Sequence, residues 1–127
     1  MRRFVPLALL VCAVAMMFAA VSAANTKHFT VHSTIKKSGK TVAGTLRSPK
    51  AKCVKNRTIR VGYRTHTSGY GPYLVETDGS GHWRLDGDLS GKGEVLVDVL
   101  IGKITIKHTP KHKQVCDAIR VQKVLTF

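Results

Sequence analysis

From Glu94 to Ile101 the chain reads EVLVDVLI, and every second residue is a branched aliphatic. In an extended strand Val95, Val97, Val99 and Ile101 share one side, while Glu94, Leu96, Asp98 and Leu100 share the other. A helix would scatter those four residues around its girth. A strand gathers them into one apolar face, and the uniformly aliphatic character suits a central position. The same period recurs elsewhere. Ile59, Val61 and Tyr63 alternate with Thr58, Arg60 and Arg64, and Trp83 and Leu85 alternate with His82, Arg84 and Asp86. After residue 24 no apolar period of 3.6 is sustained, so no helix is predicted. The pattern predicts an all-β fold, a seven- to eight-stranded antiparallel β-sandwich of immunoglobulin-like architecture.

Turn chemistry places the joints. Asp78-Gly79-Ser80-Gly81 separates Tyr73–Thr77 from His82–Asp86 and reads as a four-residue hairpin turn. Trp83, the single tryptophan, is expected at the centre of the core. Residues 24–27 read as a tether. A first strand follows, with Phe29, Val31 and Ile35 against His28, Thr30, His32 and Thr34. Lys36–Lys40 is a basic turn. Thr41–Leu46 is a second strand in which Gly44 marks a bulge or a close backbone approach. Residues 65–72 and 87–93 read as loops, and 107–113 as a basic loop that Pro110 keeps out of a central strand. Ile104 and Ile106 face inward between them. The last strand is expected from about Val115 to Phe127, with Ile119 and Val121 inward.

The first 23 residues are of another kind. Arg2 and Arg3 precede an almost wholly apolar run, Phe4–Ala20, and Val21-Ser22-Ala23 supplies small residues for cleavage. This is the pattern of a secretory signal peptide, residues 1–23, with 24–127 as a single exported domain. An uncleaved anchor is the alternative, although the run is near the minimum for a span. Cys12 lies inside that run without the small residue before it that lipidation would need. About 104 of the 127 residues remain, enough for one real core that buries roughly two-thirds of the unfolded surface.

Two cysteines remain, Cys53 and Cys116, and an even pair in an exported chain reads as one disulfide. Free thiols are the alternative. Neither cysteine has ligand-spaced neighbours for a metal. The full chain carries +14, and since Arg2 and Arg3 leave with the signal and no acid does, the remainder carries +12. Such charge favours anionic partners, among them glycans, cell-envelope polymers, nucleic acid and lipid headgroups. It also serves solubility alone. Arg60, Arg64, Lys103, Lys107 and Arg120 fall on outward strand positions and form the candidate polyanion-binding set. Lys36, Lys37, Lys40, Lys50, Lys52, Lys55, Lys111 and Lys113 fall in loops. With Tyr63 and Tyr73 assigned to the core, Tyr70 is the one exposed aromatic, too few for a stacking single-strand nucleic-acid groove. Anionic glycan or cell-envelope polymer is the better match.

Val42-Ala43-Gly44-Thr45-Leu46 resembles the opening "VxGxV" strand of carboxypeptidase regulatory-like domains, whose fold is transthyretin-like. Thr77-Asp78-Gly79-Ser80-Gly81-His82-Trp83 resembles their "TDxxGx-aromatic" hairpin, and the Cys53 and Cys116 pair resembles small secreted bacterial domains of this kind. The resemblance covers about residues 41–127. It implies a seven-stranded sandwich acting as an accessory, adhesive or ligand-binding module, usually without catalysis. The hydroxyisourate hydrolase branch ends in Tyr-Arg-Gly-Ser. This chain ends in Val124-Leu125-Thr126-Phe127, so that activity is not carried over.

Chemistry-bearing clusters are thin. His28 and His32 on one strand would stand roughly 13 Å apart, too far to share an ion. His108 and His112 lack a carboxylate or thiol partner, whereas zinc takes four ligands or three plus water. Ser80 and His82 flank a turn glycine, and no Gly-x-Ser-x-Gly elbow is present. Asp86 with Asp88, and Glu94 with Asp98, read as solvated surface. Asp78, Asp86 and Asp88 lack an EF-hand spacing for calcium. Asn56-Arg57-Thr58 fits a glycosylation sequon. The expectation is therefore a secreted binding or accessory domain with no catalytic residue, metal or cofactor and no transmembrane span after signal removal. A small hydrolase or metalloprotein using the loop histidines, and a purely structural domain, stand as alternatives.

Overall fold

The structure is a computed structural model that describes residues 25–127. The signal segment 1–23 and Cys12 lie outside the described residues. Eleven strands run in chain order: β1 Asn25–Phe29, β2 His32–Ser33, β3 Lys36–Ser38, β4 Thr41–Arg47, β5 Thr58–Arg64, β6 Gly69–Glu76, β7 His82–Arg84, β8 Glu94–Ile101, β9 Ile104–His108, β10 His112–Cys116 and β11 Ile119–Thr126. The described residues contain no α-helix. One 3₁₀ turn, Ala51–Cys53, lies between β4 and β5. The strands form three sheets. One has the order β11-β8-β5-β6, a second β1-β10-β9, and in the third β2, β3 and β7 all pair with β4.

β8 is an inner strand, as its composition requires. Val95, Val97 and Val99 are wholly buried and Ile101 nearly so. β5 lies beside it in antiparallel register, with Val61 opposite Val99 and Arg60 opposite Leu100. The inward residues of β5 and β8 join Val31, Ile35, Val42 and Leu46 from around β4, together with Trp83, Leu85 and Leu89, in one apolar cluster. Burying such side chains contributes about 1.5–3 kcal/mol each, so this shared cluster is the main favourable term holding the sheets together.

Strand count and connectivity depart from the sequence expectation because the chain changes sheet where one continuous strand was expected. The first strand is three pieces. β1 pairs with β10, and after a break at Thr30-Val31 the chain turns to pair β2 and β3 with β4. Residues 25–27 are not a tether but part of β1, which runs parallel to β10, so the fold is not wholly antiparallel. The expected last strand is broken at Asp117-Ala118 into β10 and β11, which belong to different sheets. The hydrophobic pattern passes through both breaks because each piece puts its apolar residues into the same core. Two loops are also shorter than expected. β6 begins at Gly69, with Pro72 tolerated on this sheet edge. His108 and His112 lie in β9 and β10, leaving Thr109–Lys111 as the turn.

The Asp78 turn is not a hairpin. β6 pairs with β5, whereas β7 pairs with β4, so this stretch carries the chain from one sheet to another. Its local chemistry is as the sequence implies. Asp78 Oδ1 accepts from the backbone N–H of Ser80 at 2.8 Å and of His82 at 2.9 Å. Gly81 takes φ +86 and its carbonyl accepts from the Leu46 N–H at 2.8 Å, which delivers the chain to β4. Trp83 then lands opposite Gly44. Its ring occupies the space a side chain there would fill, and Nε1 donates to Ser33 Oγ at 3.1 Å. Trp83 is 3% exposed, as the sequence predicts.

Two predictions follow from these contacts. A Cβ on Gly44 would collide with the Thr34 carbonyl oxygen and stand 2.5 Å from the Trp83 ring. Overpacking of this kind costs about 1–3 kcal/mol or more, so urea unfolding of Gly44→Ala should show at least that loss. The Asp78 carboxyl is held below the usual carboxylate range, first by the His82 N–H and then by the Ser80 N–H. A depressed native pKa means the turn keeps its full stabilisation above about pH 4 and loses it as pH falls through the native value. Amide resonances of Ser80 and His82 should therefore hold steady to below the ordinary aspartate range and move only there.

Candidate polyanion-binding surface

Cys53 and Cys116 are bonded across 63 residues of chain. The bond joins the 3₁₀ turn to β10, not to the strand that ends the chain. It brings two lysine-rich segments together. The first is Lys50–Lys55. The second is the three-stranded sheet with its connections, carrying Lys27, Lys103, Lys107, Lys111 and Lys113. The Lys27 ammonium lies 5.2 Å and the Lys50 ammonium 5.8 Å from the centre of the Phe29 ring. One ring thus holds a cation from each segment. Lys27, Gln114 and Lys107 stand opposite one another across β1, β10 and β9, so both lysines share a face.

A buried arginine completes the frame. Arg57 is 5% exposed and donates from Nη1 to the Cys53 carbonyl at 2.9 Å and from Nη2 to the Gly102 carbonyl at 2.6 Å. Its backbone N–H donates to Thr77 Oγ1, which in turn donates to the Val54 carbonyl. Burial lowers the guanidinium's pKa from its ordinary value. These bonds hold the 3₁₀ turn against the β8–β9 connection, where Lys103 sits. Sequence reasoning missed Arg57, treating it only as the middle of a sequon. The available signal was phase, since Arg57 shares parity with the inward Ile59 and Val61.

The candidate basic set divides between two surfaces. Arg60, Arg64 and Arg120 share the outer face of the four-stranded sheet. Lys107 belongs to the three-stranded sheet, and Lys103 lies in the turn before β9 rather than on a strand. The two surfaces differ in their acids. β1, β9 and β10 contain three lysines and three histidines and no carboxylate. The adjoining Asp117 is bonded to His28 Nδ1 at 2.8 Å. The arginine face, in contrast, carries Asp98, Glu76 opposite Thr58, and Glu94 opposite Thr126. Asp98 holds Arg120 through two contacts of 3.0 Å, which raise the arginine's pKa further.

The other candidates are dispersed. His82 Nδ1 lies 3.4 Å from the Asp78 carboxylate with both side chains exposed, and Ser80 serves the turn. Asp88 accepts from the Ser90 backbone N–H, and Asp86 is exposed. Asn56 is exposed beside the disulfide, with φ 49. No group of three metal-ligating side chains occurs among the described residues. Tyr73 is not core: it is 43% exposed and Tyr70 37%, with Tyr63 half-buried between them. The three rings stack at the β6 edge because that edge strand has no neighbour to cover it. Tyr63 to Tyr70 is 4.8 Å and Tyr63 to Tyr73 is 6.3 Å between ring centres. Burial, then the neighbouring tyrosines, push the Tyr63 hydroxyl pKa up. No helix of the described residues is long and apolar enough to cross a membrane.

Comparison of the chain with models of protein families, with curated proteins and with solved structures finds no match.

The disulfide is expected to hold this surface as well as the fold. Closing a loop of this size contributes roughly 4 kcal/mol in the chain-entropy model, so Cys53→Ala should cost about 2–5 kcal/mol in urea unfolding. Protease digestion without reductant should yield one linked Cys53–Cys116 peptide pair and no alkylatable thiol.

Proposed function

We propose that residues 24–127 are an exported, non-enzymatic binding domain that attaches electrostatically to an anionic glycan or cell-envelope polymer. In this reading the sheets pack as a two-layer sandwich with the accessory role that its transthyretin-like resemblance implies. One observation carries the proposal: β1, β9 and β10, the sheet that the Cys53–Cys116 bond fastens to the Lys50–Lys55 segment, contain no carboxylate, and Asp117, which follows β10, is engaged by His28. Lys27, Lys50, Lys103, Lys107, Lys111 and Lys113 therefore present an uncompensated field to a polymer of sulfate, phosphate or carboxylate groups. Arg60, Arg64 and Arg120 contribute less to it, because three carboxylates share their face.

A short sulfated oligosaccharide is the suitable probe, since it does not reward bridging between molecules. Its affinity should fall steeply with salt, as charge neutralisation requires. Lys103→Glu combined with Lys107→Glu should weaken binding and reduce the salt slope by about two, one for each lost contact. Arg60→Glu with Arg64→Glu should have the smaller effect. Affinity independent of salt rejects an electrostatic mechanism, and a larger loss from the arginine pair moves the site to the other face.

A further inference from the structure

The outer face of the four-stranded sheet is unlike the rest of this basic surface. Its register brings Leu74, Arg60, Leu100 and Arg120 into one row across β6, β5, β8 and β11. Two residues along each strand, Gly62, Asp98 and Gln122 form the next row. Arg64, Leu96 and Val124 form the third. Leu74 is 71% exposed, Val124 50% and Leu100 42%. Glu76 and Glu94 stand at opposite ends of the face, so three carboxylates balance three guanidiniums there.

We propose that this face is a self-association surface whose occupant is a second copy of the same chain. Two bodies that each carry +12 repel almost everywhere, and the charge-balanced face removes that repulsion locally. Its leucines and arginines are also the kinds of group that associate once water is excluded. Leucine removes apolar area from water, and arginine both stacks and forms ion pairs.

The row pattern specifies the geometry. A two-fold axis along the strands lays β5 of one copy over β8 of the other. Asp98 then faces the partner's Gly62, where no side chain stands, between the partner's Arg60 and Arg64. Leu100 meets the stem of the partner's Arg60, and Leu96 that of the partner's Arg64. The contact is isologous, so each interaction occurs twice. Asp98 keeps its own Arg120, with the carboxylate side chain 28% exposed and open to the partner.

A membrane is a poorer occupant, because the acids that balance the face would be repelled by anionic lipid. The lysine surface lies on another sheet, so association and polymer binding are separate properties of the molecule.

Sedimentation equilibrium of the exported chain at physiological salt tests the proposal. The unsubstituted protein should show a concentration-dependent dimer. Arg60→Glu with Arg64→Glu places carboxylates against the partner's Asp98, and Asp98→Lys places an ammonium against the partner's Arg60 and Arg64. Each variant alone should raise the dissociation constant at least about thirtyfold, the usual consequence of disrupting a desolvated charge pair. An equimolar mixture of the two variants should recover the dimer, because both symmetric contacts are then complementary. Circular dichroism should show both variants folded. A protein that stays monomeric into the millimolar range overturns the proposal. So does a dimer that survives both variants, or a mixture that fails to recover association. A monomer that binds anionic vesicles and loses this with Leu74→Ser would assign the face to lipid instead.

Discussion

Everything about the three-stranded sheet depends on how it is fastened. Its share of the common core is small: Cys116 is buried, while Phe29, Ile104 and Ile106 are half-buried against the cluster. A sheet of this size is marginal without packing against something larger. The Cys53–Cys116 bond supplies the fixed point, and the Asp117 N–H donates to the Phe29 carbonyl at 2.9 Å beside it. Arg57 closes the other side through two carbonyls and no carboxylate. Burying an unpaired charge is costly unless its hydrogen bonds are met, and here backbone oxygens meet them. Loss of either carbonyl position would leave one arm of a buried cation without its partner, so the guanidinium enforces the geometry of the segment around it.

The sequence carried the composition of the core and lost its connections. Val95, Val97, Val99, Ile101, Trp83 and Leu85 are buried as their period predicts, and the cysteines are bonded. Alternation reports which side of a strand is wet. It does not report which strand lies alongside, because pairing is made by backbone groups common to all residues. That is why Phe29, Val31 and Ile35 read as one strand although the chain changes sheet between them. The Asp78 turn was misread for the same reason. Its local hydrogen bonds fit a hairpin turn, and what sends β7 to β4 is distant: the vacancy above Gly44 that accepts the Trp83 ring. Gly44 itself was legible as a close approach, but its neighbour was not.

The candidate site was half legible. Outward phase identified Arg60, Arg64, Lys107 and Arg120 correctly as surface residues. Phase could not say that the arginines share a face with Glu76, Glu94 and Asp98, because Glu76 is on β6 and the other two are on β8. Nor could it place Lys50–Lys55 beside β10, since that proximity is made by the disulfide. Net charge is a property of composition, whereas the field at a surface depends on where seven carboxylates lie. Here Asp78 serves a turn, Asp98 holds Arg120, Asp117 holds His28, and none interrupts β1, β9 or β10.

In the two proposals salt has two opposed effects. Attraction between the lysine surface and a polyanion arises from charges near water, and it fades beyond a screening length of about 8 Å at physiological ionic strength. Contact between two copies is opposed by the same long-range field. Added salt therefore relieves their mutual repulsion, while ion pairs excluded from water are screened much less. A chain of uniform positive charge could not separate these responses. If both proposals hold, placing three acids on the arginine face and none on β1, β9 or β10 would let a single small domain bind a polymer most tightly at low salt and tolerate its own copy best at moderate salt. The grouping of the lysine segments rests on the Cys53–Cys116 bond and Arg57, which tie the 3₁₀ turn to β10 and to the β8–β9 connection.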